Sequence, residues 1–400
     1  MIGANTRLGI ISGTPAFSDG ERVWINHSNG RTFDGLLARY PRARIVLPLL
    51  STRRADMKHA LAFPMSAIDV LPPLASTIAA QRHYLETRRI IRRFAETADV
   101  LFIRFPFQVA PVLQGLGKPK VVHVVSNPQE VVKVSSDYRG VVAAAARAYA
   151  AYVEHVLRVL VREPRTSVVS NGDEMWRRLK PRRGRVTVSS CLREAEMTPR
   201  TASALNEPPR LLFVGYLRPE KGIDVLLEAF EKIRAKRPVR LSLVGGSDRA
   251  AGGVEGLIEQ RIARSPYAAD IQRHGMVDFG DALFDLYRGH DVYVLPSRSE
   301  GTPRTLIEAR AFGLPVVATS VGGIPTSVTS ERDGLLVPPG DAGALARAIE
   351  RLLDDQSLRA RLIDAGLTRA RARSLEAFVG EIGDEIDAVL STASPEKSVA

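Results

Sequence analysis

One cysteine, Cys191, stands in a chain of 400 residues. No disulfide can close within the chain, so a reducing compartment such as the cytoplasm is expected. Aromatic residues supply only 6% of the sequence, and none form an array beside its basic clusters. Base stacking has little to work with, and no nucleic-acid partner is expected. The chain also lacks an uninterrupted apolar run of membrane-spanning length. Its longest apolar-rich stretch, 141–161, is broken by Arg147, Glu154, His155 and Arg158 and reads as an amphipathic helix. The opening MIGANTRLGIISG has no signal-peptide core. No G-x-G-x-x-G follows a candidate strand, and neither a Walker A string nor H-E-x-x-H occurs, which leaves NAD, P-loop and zincin chemistry without support. No acidic metal-binding motif stands out, so neither metal nor cofactor is expected.

Charge is plentiful and uneven. The net charge is +12, yet residues 1–190 hold 29 Lys and Arg against 14 Asp and Glu, or +15, which leaves 27 against 30, or −3, for the rest. The basic half is expected to face something acidic. Two clusters carry much of the excess: RRIIRRF at 88–94 and MWRRLKPRRGR at 175–185. Arg88, Arg89, Arg92 and Arg93 recur at helical spacing beside Ile90, Ile91 and Phe94, a pattern suited to a helix that packs on a sheet and shows its cations outward. With Arg177, Arg178, Lys180, Arg182 and Arg183 they form a candidate docking surface for an anionic membrane, where each cation contributes on the order of 1 kcal/mol. A solvated helix face explains the same charges.

The chain is long enough for two domains. Short apolar runs alternate with helical patterns, which predicts parallel sheets flanked by helices. In the first half, strands are expected at 8–12, 44–49, 67–71, 100–105, 120–125 and 186–189. In the second they are expected at 211–215, 240–245, 270–274, 292–295, 315–319 and 334–337. The polar stretch 191–209 reads as a linker between an amino-terminal domain (1–190) and a carboxy-terminal domain (210–373). A last helix, 374–391, is expected to pack back toward the first domain, ahead of a tail at 392–400.

The most informative stretch is 291–325, DVYVLPSRSEGTPRTLIEARAFGLPVVATSVGGIP. Apolar residues 292–295 suit a strand buried on both faces, and Pro296 and Ser297 end it. A helix is expected to follow, with Thr302 as N-cap and Pro303 at its first position, leaving amides near Gly301 and Thr302 to meet an anion. Glu300 and Glu308 then flank the turn, one facing the mouth of a site and the other able to bind a polyol such as ribose.

This string, Glu300-GTPRTLI-Glu308 with Ala309, Gly313, PVVAT and the pair Gly322–Gly323 after it, resembles the E-x7-E motif of the retaining glycosyltransferases of family 4. The resemblance implies a GT-B fold, two Rossmann-like α/β domains whose parallel sheets face across a cleft. It implies an enzyme that moves a sugar from a nucleotide-sugar donor, without a metal, to a saccharide or lipid-linked saccharide. Glu300 would then contact the donor sugar near the reacting carbon and Glu308 the ribose.

A second segment, LLFVGYLRPEKGIDVLLEAF, runs strand, turn, helix, with Gly215, Arg218 and Lys221 in the turn. Positive charge is needed where a departing diphosphate gains negative charge. Family members commonly place basic residues here. They usually carry Arg directly after the turn glycine, where this chain has Tyr216, so Lys221 carries over and Arg218 stands as a substitute. A third segment resembles the base-binding turn and places Gly275, Met276 and Val277 beside the nucleobase. The first half departs further from the family. In place of a glycine pair after the first strand it offers Gly13 and Gly20 to the donor phosphates. In KPKVVHVVSNPQE the candidates for the acceptor side are His123, which also reads as an ordinary strand residue, and Asn127. A sugar-nucleotide epimerase of the same architecture and a catalytically silent relative remain as alternatives.

Overall fold

In the computed structural model the described residues are 2–74, 77–129, 132, 140–200, 205–246 and 254–392. The chain divides into two units: one built from 1–134, 138–191 and 375–400, the other from 135–137 and 192–374.

The first unit holds strands β1 (Leu8–Ser12), β2 (Phe17–Ser18), β3 (Val23–Ile25), β4 (Arg44–Pro48), β5 (His59–Ala60), β6 (Ile68–Leu71), β7 (Val100–Phe105), β8 (Lys120–Val124), β9 (Thr166–Asn171) and β10 (Gly184–Thr187). Seven of them form a parallel sheet in the order β10-β9-β8-β7-β1-β4-β6. Strands such as LGIIS and KVVHV are buried along their whole length because helices cover both faces, as an all-parallel sheet requires. Pairs β2–β3 and β3–β5 make a small antiparallel sheet that the sequence pattern did not announce. Strand β9, TSVVSN, was also missed, since only its two central valines are apolar and small hydroxyl residues fill its remaining buried positions. Strand β10 starts two residues earlier than expected. Pairing stops at Thr187, and Ser189 then gives its N–H to Asn171 Oδ1 at 2.9 Å.

The helix Leu375–Ser391 belongs to this first unit. Phe378, Ile382 and Ile386 are buried in its core, and Tyr40 donates to the Gly383 carbonyl (3.1 Å) and to Asp387 (2.9 Å). Arg39 reaches Asp387 at 2.8 Å and Arg185 reaches Glu385 at 2.7 Å.

The second unit is a six-stranded parallel sheet in the order β13-β12-β11-β14-β15-β16. Its strands are β11 (Arg210–Val214), β12 (Arg240–Val244), β13 (Ile271–Gly275), β14 (Val292–Leu295), β15 (Val316–Thr319) and β16 (Leu335–Val337). The winding reverses between β11 and β14, the switch point at which open parallel sheets form a ligand crevice outside the carboxyl ends of their strands. The stretch from 192 onward is bound to this unit rather than free. Arg200 reaches Asp291 at 2.6 Å, and the Asn206 side chain and the Arg210 N–H bond the same carboxylate.

The helix Tyr84–Glu96 forms as expected: Ile91 and Phe94 are buried, while Arg88, Arg89, Arg92 and Arg93 are exposed. The second basic cluster is less available than its sequence suggests. Arg178 bonds both oxygens of the buried Glu154, at 2.5 and 2.8 Å, and Arg177 pairs with Asp173. Burial pushes the Glu154 carboxyl up, but Arg178, Arg158 and Gln129 outweigh it and hold its pKa below the usual range. Lys180, Arg182 and Arg183 stay exposed. Among the described residues no helix is long and apolar enough to cross a membrane.

Candidate active site at the carboxyl edge of the second sheet

Two loops meet at the reversal of winding. After β11 the chain makes a tight turn, Pro219–Lys221, and enters the helix Ile223–Arg234 through Gly222 at φ +66°. A Cβ at Gly222 would lie 2.2 Å from the Pro296 carbonyl oxygen, so only glycine lets this turn rest on the end of β14. Arg298 clamps the two loops together, its N–H on the Glu220 carbonyl (2.7 Å) and its guanidinium bidentate on Asp224 (2.7 and 2.6 Å).

The clamp brings Lys221 Nζ within 2.5 Å of Glu300 Oε1, a contact between residues 79 positions apart. Ser297 Oγ donates to the same oxygen at 2.8 Å, and Thr319 Oγ1 in turn bonds the Ser297 carbonyl at 2.5 Å. The Glu300 side chain is only 8% exposed, so its charge is balanced chiefly by the lysine. Arg218 shares the turn. Its guanidinium lies 5.1 Å from the ring centroid of Tyr216, the residue standing where family members usually have arginine, and 3.9 Å from Glu220.

The helix carrying Glu308 is shorter than expected. It spans Thr305–Ala311, Arg304 takes the N-cap place and no side chain caps it. Thr302 and Pro303 therefore belong to the preceding turn, and the Pro303 carbonyl accepts from Leu306 N at 3.4 Å. This turn is instead shaped from behind by the glycine pair. Gly322, at φ +52°, runs so close that a Cβ would lie 1.8 Å from the Glu300 carbonyl oxygen, and Gly323 N–H bonds the Gly301 carbonyl at 3.0 Å. Gly322→Ala should therefore cost about 1–3 kcal/mol from backbone strain alone. It should lower the urea midpoint, and relief of the contact requires Glu300 to shift.

Glu308 points inward. It is buried, accepts a hydrogen bond from Tyr287 OH at 2.8 Å on Oε2, and keeps Oε1 as a further acceptor. Burial raises its pKa above the ordinary carboxylate range, with Tyr287 and the positive Arg304 pulling the other way. The fully buried Tyr293 lies beside both glutamates. Its phenol pKa is raised, first by burial and then by their charge, so the hydroxyl stays protonated and donates to the Val214 carbonyl at 3.2 Å. Two residues further along the helix, buried Arg310 bonds Asp333 Oδ1 at 2.6 Å and the Ser327 carbonyl at 2.8 Å, which pins the helix from below.

Gly215, Gly245 and Gly275 end β11, β12 and β13 side by side. Gly215 N–H bonds the Val244 carbonyl at 3.0 Å and Gly245 N–H bonds the Gly275 carbonyl at 2.7 Å. Gly275 has φ +66° with open space about it, Met276 is 66% exposed and Val277 is half-buried. One edge of one sheet thus gathers Gly215, Arg218, Lys221, Gly275, Met276, Val277, Glu300, Gly301, Thr302, Pro303 and Glu308. Tyr287, Ser297 and Thr319 complete this site, and the sequence pattern did not single them out. Ser297 sits three residues before Glu300 and was legible only as a strand terminator. Tyr287 lies on another helix with no spacing to mark it.

The first-unit candidates have other surroundings. Gly13 follows β1, its carbonyl bonded by Gln108 Nε2 at 3.1 Å, whereas Gly20 turns the β2–β3 hairpin. His123 is 4% exposed within β8, with its ring 5.9 Å from Phe102 and 5.4 Å from Phe378. Asn127 is also buried, donating to Glu174 at 2.8 Å and accepting from Gln129 N at 3.0 Å, which commits both ends of its amide. Among the described residues no group of three or more His, Cys, Asp or Glu could hold a metal ion.

Residues 208–355 match the family model described as Glycosyl transferases group 1. D-inositol 3-phosphate glycosyltransferase 2 of Catenulispora acidiphila is 41% identical over 149 residues, 36% of this chain and 35% of that protein. D-inositol 3-phosphate glycosyltransferase of Streptomyces avermitilis is 36% identical over 189 residues, 46% of this chain and 39% of that protein. The chain spans well under half the length of these curated relatives. Among solved structures, sucrose-phosphate synthase from Thermosynechococcus elongatus superposes with a TM-score of 0.69 at 22% identity, covering 98% of this chain and 100% of that one. Anabaena HepE in complex with UDP superposes with a TM-score of 0.66 at 16% identity, covering 96% and 100%. The chain has the GT-B fold, and the match to the Glycosyl transferases group 1 model lies within its second unit.

Proposed function

We propose that this protein is a retaining glycosyltransferase that takes a sugar from a nucleotide-sugar donor without a metal and passes it to a saccharide or lipid-linked saccharide, in the manner of family 4. The observation that carries this reading is the Lys221–Glu300 pair, 2.5 Å apart where the winding of the second sheet reverses. A buried carboxylate, Glu308, stands one helix turn and a loop away. A cation and a carboxylate held together at such a crevice suit the two ends of one bond. Lys221, with Arg218, would receive the charge of the departing diphosphate, and Glu300 would steady the positive character that grows on the sugar.

In that reaction the bond from the anomeric carbon to the diphosphate oxygen breaks with its electron pair leaving on the diphosphate. The acceptor hydroxyl bonds the same carbon on the same face and gives its proton to the departing oxygen. Glu308 Oε1 would bind the ribose, the Gly275–Val277 turn the base, and the Gly301–Thr302 amides the donor. The relatives named as glycosyltransferases support transfer as the reaction class.

Calorimetry with UDP, GDP, ADP and CMP, first without metal and then with Mg²⁺, tests the donor site. We expect one of them to bind selectively, and equally with and without the ion. Binding only in the presence of Mg²⁺, or of none of the four, would overturn the reading.

The exposed Arg88, Arg89, Arg92 and Arg93 support docking to an anionic membrane, which would bring a lipid-linked acceptor within reach. Charge reversal at these four positions should abolish pelleting with phosphatidylserine vesicles and leave nucleotide affinity intact. Unchanged pelleting would return them to a plain solvated face.

A further inference from the structure

The second sheet has another concave feature at its opposite, amino edge. A cavity of about 650 Å³ opens there, walled by the first residues of β11, β12 and β13, the helix Asp281–Arg288 and the turn after it. Arg210 and Arg240 are register partners on adjacent parallel strands, so both guanidiniums leave the same face of the sheet side by side. Like charges so placed repel.

The nearby carboxylates do not relieve the repulsion, because each is engaged elsewhere. Asp270 pairs with Arg234 at 2.8 Å, Asp285 with Arg288 at 2.5 Å and Asp291 with Arg200 at 2.6 Å. Among the described residues neither Arg210 nor Arg240 has a carboxylate partner, and Arg210 Nε is buried with no acceptor at all.. A buried charged donor left without an acceptor is costly and calls for one.

Two of these carboxylates, Asp270 and Asp285, belong to the wall itself, and Leu241, Ala269, Ile271 and Leu286 give it apolar patches. Ser242 and Gln272 line it, and His274 Nε2 sits 3.2 Å from Ser242 Oγ. Burial lowers the pKa of His274, and that of His290 to about 4, the positive Arg210 adding to the effect at His290. His290 Nδ1 lies 2.5 Å from the Leu286 carbonyl, so the neutral ring carries its hydrogen there and keeps Nε2 as an acceptor.

We propose that this cavity is a binding site for a small phosphate-bearing molecule, with the phosphate between Arg210 and Arg240. Paired guanidiniums match a dianionic phosphate, each supplying a planar fork of donors. The volume exceeds what one phosphate fills, and Ser242 and Gln272, with the Asp270 and Asp285 carboxylates as acceptors, suit a hydroxylated organic part. The site is separate from the crevice of Lys221 and Glu300 and does not depend on the function assigned to it.

Glycerol 3-phosphate, inorganic phosphate and glycerol are the probes, titrated at constant ionic strength by calorimetry and by thermal shift. Saturable binding of a phosphate-bearing probe is expected, with none for glycerol. Tighter binding of the ester would assign the site to a phosphate ester, and equal binding to free phosphate. Arg240→Gln removes an exposed, unpaired cation and should leave the fold intact, and it should weaken binding by about tenfold or more. Arg210→Gln should do the same. Absence of saturable binding, or binding unchanged in Arg240→Gln, would overturn the proposal. So would its loss in Lys221→Ala, which would place the phosphate at the other edge of the sheet.

Discussion

Lys221→Ala should lower sugar transfer by roughly 10² or more, chiefly in kcat, if the lysine acts as proposed, where the leaving diphosphate gains charge. The same change strips the cation from Glu300, a side chain 8% exposed that also accepts from Ser297 Oγ. A carboxylate left in that position raises the cost of folding and is free to swing away from the sugar. Lys221→Arg keeps the charge but replaces a point cation by a wider planar fork, so it should recover stability more fully than turnover. Initial rates with a saturating donor, read beside the thermal midpoint of each variant, check this. Turnover within a few-fold of wild type in Lys221→Ala would remove the lysine from the reaction.

Glu308→Gln should separate binding from stability. Burial holds the Glu308 pKa above its unfolded value, so folding works against the ionised form. The contribution of this group to stability is fully present below the ordinary carboxylate range and is lost as the pH rises through the raised folded value. Glutamine never ionises and still accepts from Tyr287. The variant should match wild type in acid and become the more stable protein at neutral pH, with each ~1 kcal/mol shifting the midpoint by about 2–4 °C. Nucleotide affinity should move the other way, by about tenfold or more, since a hydrogen bond to a charged acceptor contributes about 1.5–3 kcal/mol. Thermal midpoints across pH, set beside nucleotide titrations, check both halves. A variant less stable than wild type at neutral pH would show that the carboxylate is better satisfied than its burial implies.

Most of the sheet framework was legible from period and composition. A parallel strand covered on both faces must be apolar along its length, so VLFIRF and VYVL stand out against any background. The failures were strands whose burial leaves no apolar mark, as in TSVVSN, or strands of two or three residues, as in the small antiparallel sheet. The start of the Glu308 helix was misplaced for a related reason. Thr302 and Pro303 carry the local chemistry of a helix entry, but the backbone around Glu300 and Gly301 is held by Gly322 and Gly323 from the next loop. Tertiary contact outweighed local preference there.

Glu300, Glu308 and Lys221 could be named from the chain because motif spacing is local information, carried by a strand end and the turn that follows it. That Lys221 and Glu300 touch could not be. Their contact depends on β11 and β14 lying side by side, on Gly222 letting one loop rest on Pro296, and on Arg298 tying both loops together. His123 shows the converse. Its neighbours in sequence leave open what it faces, and only the tertiary structure sets the rings of Phe102 and Phe378 beside it. Local pattern sets which chemistry is available, and the pairing of distant strands sets which groups can act on the same bond.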